Sequence, residues 1–173
     1  MGPVDDSRDN WEVFGMIRIT WLSCALSAVM FAGAALADAP SPAAIAQQCV
    51  QEIGERTQTS VAAMQHRTQV GVARIGHLDE QGAPAPVIAA SAHASRHAVN
   101  EAATNGVRAV NGTAFACLWV LDAIDSPDGP KQVVLAARQL SITVIGNVRE
   151  QANLHISEAL MQAIGAPAAV MAF

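Results

Sequence analysis

The sequence predicts an all-α protein: an antiparallel, up-down-up bundle of three long helices built on 11- and 44-residue repeats. Three observations carry that prediction. Residues 49–81 read as three lines of eleven, CVQEIGERTQT, SVAAMQHRTQV and GVARIGHLDEQ. Val50, Val61 and Val72 fall in register, as do Ile53, Met64 and Ile75, then Arg56 with Arg67 and Thr57 with Thr68. Eleven residues make three turns at about 3.67 residues per turn, so a stripe of that period keeps to one face of a helix, whereas a strand needs a period of two. Second, Pro42, Pro86 and Pro130 recur at intervals of 44 residues, each behind a short Pro-rich joint. Third, 51% of the chain is apolar but only 4% is aromatic, and Tyr is absent. An Ala-rich composition of this kind suits closely approaching helices, while a β-sandwich draws on β-branched and aromatic residues.

From the N-terminus, residues 1–15 are a polar leader, unlike the segment next to them. Met16 opens that segment, the apolar run MIRITWLSCALSAVMFAGAALA, with Arg18 near its start and Ala35-Leu36-Ala37 before Asp38. This pattern reads as a secretory signal with a small-x-small cleavage site, and Met16 as the true translation start. The rival readings are an uncleaved apolar anchor, since the run is long enough to span a bilayer, and an ordinary apolar helix. Cys24 lies inside the run without a lipobox. With 16–37 removed, residues 38–173 carry eight basic and eleven acidic side chains, a net charge of −3.

The first bundle helix is expected over about 43–78. The second, about 86–123, keeps the same beat: His97-Ala-Val-Asn100 returns as Arg108-Ala-Val-Asn111, and Leu121 continues the row of Val99 and Val110. Its end from Phe115 to Leu121 is apolar nearly all round, which marks it as deeply buried or in contact with a partner. The third, about 131–164, aligns Val134, Ile145 and Ile156, then Ala137, Val148 and Ala159, and residues 165–173 form a stub. Proline suits the first turn of each helix, where its missing N–H is not needed. Short joints place successive long helices antiparallel. Gly54, Gly71, Gly106 and Gly146 each cost a helix about 1 kcal/mol relative to Ala, so they mark either close backbone approach or weakly formed segments.

Folding the first hairpin near residue 82 sets position 49 opposite about position 115, close to Cys117, and both cysteines lie on apolar stripes. An oxidising compartment outside the cytoplasm would join such a pair, provided small neighbours draw the helices together; otherwise two buried thiols remain. His93 and His97, four apart on one helix, have the spacing to share a metal ion. His66 and His97 point away from the apolar rows and only His155, beside Ile156, has the phase to turn inward, so solvated histidines are the first reading and a metal site at His93 and His97 the second. Phe115 and Trp119, also four apart, form an apolar pair that either anchors an interface or lies under the third helix. Arg56, Arg67 and Arg74 flank the stripe of the first helix and are expected to cover apolar surface with their stems. The sequon Asn111-Gly112-Thr113 falls mid-helix.

The net charge of −5, with Lys131 the single lysine, gives no basic face for nucleic acid or anionic lipid, so no membrane contact is expected beyond the N-terminal segment. No GxGxxG, P-loop, GxSxG, HExxH or paired Glu-x-x-His motif occurs, and Glu52, Glu55, Glu101, Glu150 and Glu158 are scattered without acid–base pairing. These absences point to a non-enzymatic protein with no cofactor.

Residues 68–122 resemble the R-body structural (Reb, "killing trait") family. The matching pieces are Thr68-Gln-Val, Gly82-Ala-Pro-Ala-Pro-Val-Ile-Ala, Ala92-His-Ala, Val99-Asn-Glu-Ala-Ala-Thr-Asn-Gly-Val107 and Leu118-Trp-Val-Leu-Asp122, with an echo in Gly165-Ala-Pro-Ala-Ala-Val-Met171. The family's Gln-rich run is missing here. The resemblance covers about a third of the chain and implies small helical subunits that polymerise into a coiled ribbon inside the cell, without catalysis. The expected function is therefore structural or interactive, through helix packing against copies of itself or another helical protein. The alternative is an exported helical module holding a metal ion or a small apolar ligand. The site of action is exported or periplasmic, or cytoplasmic if the R-body resemblance holds.

Overall fold

The computed structural model describes residues 40–165; the polar leader 1–15, the apolar segment 16–37 and the stub beyond Gly165 lie outside the described residues. Three helices fill it: α1 (Pro42–Glu80), α2 (Ala85–Ala123) and α3 (Asp128–Ala163). Each packs on the other two, and no strand occurs among the described residues. The fold is the up-down-up bundle that the eleven-residue pattern predicts.

Burial follows that pattern closely. In α1 the buried positions are Ala46, Cys49, Ile53, Thr57, Ser60, Met64, Thr68, Gly71 and Ile75, which step by three, four and four along the whole helix. Ile53, Met64 and Ile75 are at most 1% exposed, while Val50, Val61 and Val72 line the edge of the stripe, half-buried. α2 contributes Ile88, Val99, Val110 and Leu121, and α3 contributes Val134, Ile145 and Ile156, all buried. Each such side chain adds about 1.5–3 kcal/mol of apolar stabilisation, so these three rows are what drives the helices together. The two threonines that interrupt the α1 row cost little. Thr57 and Thr68 donate their hydroxyls back to the Ile53 and Met64 carbonyls at 2.8 Å, which satisfies them inside the core.

Small residues set how closely α1 approaches α2. Going up α1 and down α2 by eleven residues at a time, Cys49 meets Cys117, Ser60 meets Gly106, and Ser95 meets Gly71. A methyl group on Gly71 would stand 2.7 Å from both Cβ and Oγ of Ser95, and one on Gly106 would overlap the Ser60 side chain. Close approach therefore explains Gly71 and Gly106. It does not explain Gly54 and Gly146, whose added Cβ would meet nothing within 4 Å.

Both joints are tight. Ser41 caps α1 by accepting from the Ala44 N–H at 3.2 Å. At the other end Gly82, at φ +67°, donates to Asp79 O while Ala83 donates to Leu78 O, the paired bonds of a Schellman turn. α2 ends the same way, with Asp125 donating to Asp122 O and Ser126 to Leu121 O, but here the left-handed position is held by an aspartate at φ +50°. α3 begins at Asp128, three residues before the 131 that Pro130 suggests. Only the first four N–H groups of a helix lack an internal acceptor, so proline is tolerated throughout that turn. Pro42, Pro86 and Pro130 occupy its first, second and third positions respectively.

Candidate interaction surface

Cys49 and Cys117 are joined by a disulfide, with Cα atoms 6.0 Å apart. It lies at the open end of the α1–α2 hairpin, opposite the turn at 81–84, so both ends of that pair are tied. The Ser–Gly contacts further along are what hold the two backbones within bridging reach, about 4.4–6.8 Å between Cα atoms. Both cysteines are buried at 6% exposure, and the bond is a structural link.

Polar ties fix α3 to α2, and on α2 they too recur every eleven residues. Asn100 accepts from Asn153 at 3.0 Å, Asn111 accepts from Arg138 Nε at 2.6 Å, and Asp122 lies 2.5 Å from Lys131 Nζ. The Asp122 hydrogen bond, helped by the charges of Asp122, Asp128 and Asp125, raises the Lys131 pKa above its ordinary 10.5. A raised ammonium stabilises the fold below the unfolded value and loses that effect as pH climbs through the folded one, so the pair is intact at neutral pH. Asn111, the sequon residue, is thus occupied inside the seam. On the α1 side, Arg67 does more than cover apolar surface. It donates from Nη1 to the Ala98 carbonyl of α2 and lies 3.8 Å from Glu101.

Phe115 and Trp119 fall on α2 between Asn111 and Asp122, on the outer side of this seam. They are 73% and 67% exposed, so α3 does not cover them. The apolar run from Phe115 to Leu121 is not the deeply buried end of α2. Its inward positions, Cys117 and Leu121, are buried, while its outward aromatics remain in water. Leu135, on α3 between Lys131 and Arg138, is 37% exposed at the matching height. Two further exposed apolar residues of α3, Leu140 and Leu154, were not singled out by the sequence pattern, and Val133, the apolar position that follows Pro130 in the 44-residue repeat, is exposed as well. Their signal is that each adjoins or falls outside the inward row carried by Val134, Ser141 and Ile156.

The histidines do not converge. His66, His93, His97 and His155 are all exposed, including His155, the one histidine with the phase to turn inward. Ile156 fills the core, and the side chain one residue earlier is rotated by about 100° away from it. His93 and His97 share a solvent-facing side of α2. No group of three or more His, Cys, Asp or Glu gathers among the described residues. An open cleft between α2 and α3 is lined by Arg96, Asn100, Arg149, Asn153 and Ser157, with Glu150 beside Arg149. The unpartnered buried atoms there, Arg96 Nε and Asn153 Oδ1, are a donor and an acceptor of complementary kind. No described helix is long and apolar enough to cross a membrane.

No protein-family model, curated protein or solved structure matches the chain.

Proposed function

We propose that this is a non-enzymatic helical protein that works by packing against copies of itself. One observation carries the reading: α2 spends its inward face on α1 and α3 yet presents Phe115 and Trp119 to water on its outer face. Large rings cost a monomer solubility, and an aromatic pair one helical turn apart is the usual anchor of a helix-to-helix interface. The resemblance of residues 68–122 to R-body subunits points the same way, toward small helical units that assemble. The Cys49–Cys117 disulfide favours an oxidising compartment, and so favours the export reading of 16–37 over assembly in a reducing cytoplasm. Size-exclusion chromatography with light scattering, run at tens of micromolar, is the test. The expected result is a concentration-dependent mass above that of one chain; a monodisperse monomer would sink the proposal.

A further inference from the structure

We infer that the outer face of α2 is a two-fold interface, on which α2 of a second copy lies antiparallel. The inference rests on the self-association reading and specifies the surface and geometry that would produce it.

The face is a continuous strip. Arg108, Gly112, Phe115, Trp119 and Ala123 step by four, three, four and four, with Ala116 beside Phe115, so they share one side of the helix, and all are exposed. Large and small residues alternate along it. A two-fold axis between Phe115 and Ala116 sets Trp119 against the partner's Gly112 and Phe115 against the partner's Ala116. Each ring then enters a hole left by a residue with little or no side chain. Gly112 has open space where its Cβ would be, so nothing within the chain fills that hole.

Charge selects the antiparallel direction. The last turn of α2 carries Asp122, already held by Lys131, and no basic residue of its own; Asp125 follows in the turn and Asp128 opens α3, so three carboxylates surround one ammonium and the end stays acidic. The carbonyl end of a helix favours a cation. Arg108 has no ion-pair partner among the described residues, and the same axis lays it against the partner's Ala123, within a turn of these acids. Parallel packing would instead set each Arg108 beside its copy. Four aromatic rings, two from each chain, contribute on the order of 500–600 Å² of buried surface, and the flanking Ala and Arg stems bring the contact toward the lower limit for a specific interface, about 1,200 Å² in total. The dimer is therefore a reversible one.

Sedimentation velocity on the oxidised full chain across a concentration series tests this. Trp119→Asp removes the anchor, and Gly112→Leu fills the hole from an exposed position whose Cβ would meet nothing within 4 Å of its own chain. Each is expected to weaken association by more than about tenfold, as loss of a central anchor does, with helicity and melting temperature retained. Arg108→Glu is expected to weaken it too, and adding Ala123→Lys to restore it by reversing the pair across the axis. Unchanged association in both Trp119→Asp and Gly112→Leu would overturn this interface while leaving self-association standing. A wild-type monomer at every concentration would overturn both.

Discussion

Gly106 has no side chain because Ser60 already fills the space, whereas Gly54 lacks one beside open space. These two glycines, alike to a propensity scale, should respond to the same substitution with opposite sign. Gly54→Ala and Gly146→Ala remove backbone freedom from the unfolded chain and meet no neighbour within 4 Å, so each is expected to stabilise by about 0.5–1 kcal/mol. Gly106→Ala gains the same term but places its methyl on Ser60 Cβ, which cannot rotate away, and overpacking of that kind costs roughly 1–3 kcal/mol. Its net effect should be destabilising. Adding Ser60→Gly should recover most of the loss, less the hydroxyl bond from Ser60 to the Ala102 carbonyl at 3.4 Å. Urea midpoints of the single and double variants decide it. Equal shifts for Gly54→Ala and Gly106→Ala would show that close packing of α1 on α2 is not what selects glycine at 106.

Among the elements, α1 and α2 form a pair closed at both ends, by the Gly82 turn and by the disulfide, while α3 is joined at one end only, by the turn at 124–127, and otherwise held by packing and the polar ties at Asn153, Arg138 and Lys131. The bond spans 68 residues of sequence, and a loop of that size restricts the unfolded chain by about 4 kcal/mol in the chain-entropy account. Replacing both cysteines with serine should therefore lower the unfolding free energy by up to about 4 kcal/mol. Helicity should persist, because the hydroxyl-for-sulfur exchange leaves the rows of Ile53, Val110 and Ile145 in place. Equilibrium denaturation of the oxidised wild type against Cys49→Ser/Cys117→Ser measures this. A loss of helix in water would mean the apolar rows do not carry the fold, and an unchanged midpoint would mean the unfolded chain is already restricted.

At the scale of the whole molecule, the bundle was legible because its driving force is periodic: Ile53, Met64 and Ile75 announce a helix face wherever the rest of the chain goes. The Cys49–Cys117 juxtaposition was legible for the same reason, since a hairpin fold fixes which heights face each other, though sequence alone left two thiols open as an outcome. What sequence could not decide was which way an apolar residue off the stripe turns. Phe115 and Leu118 differ by less than a turn, yet only Leu118 packs against the core, a difference set by where α3 stops covering α2. His155 had the phase to turn inward but lies exposed, because adjacency to a core residue is not shared direction. The compartment joins these scales, for a disulfide that closes the bundle needs an oxidising environment, and the apolar run at 16–37 has the pattern of an export signal. If the two belong together, a bacterial host that exports the full chain should yield a product beginning at Asp38. Intact mass under non-reducing conditions should show no alkylation before reduction and two alkylated thiols after it. Retention of residues 1–37 together with free thiols would separate the disulfide from export and return the assembly reading to the cytoplasm.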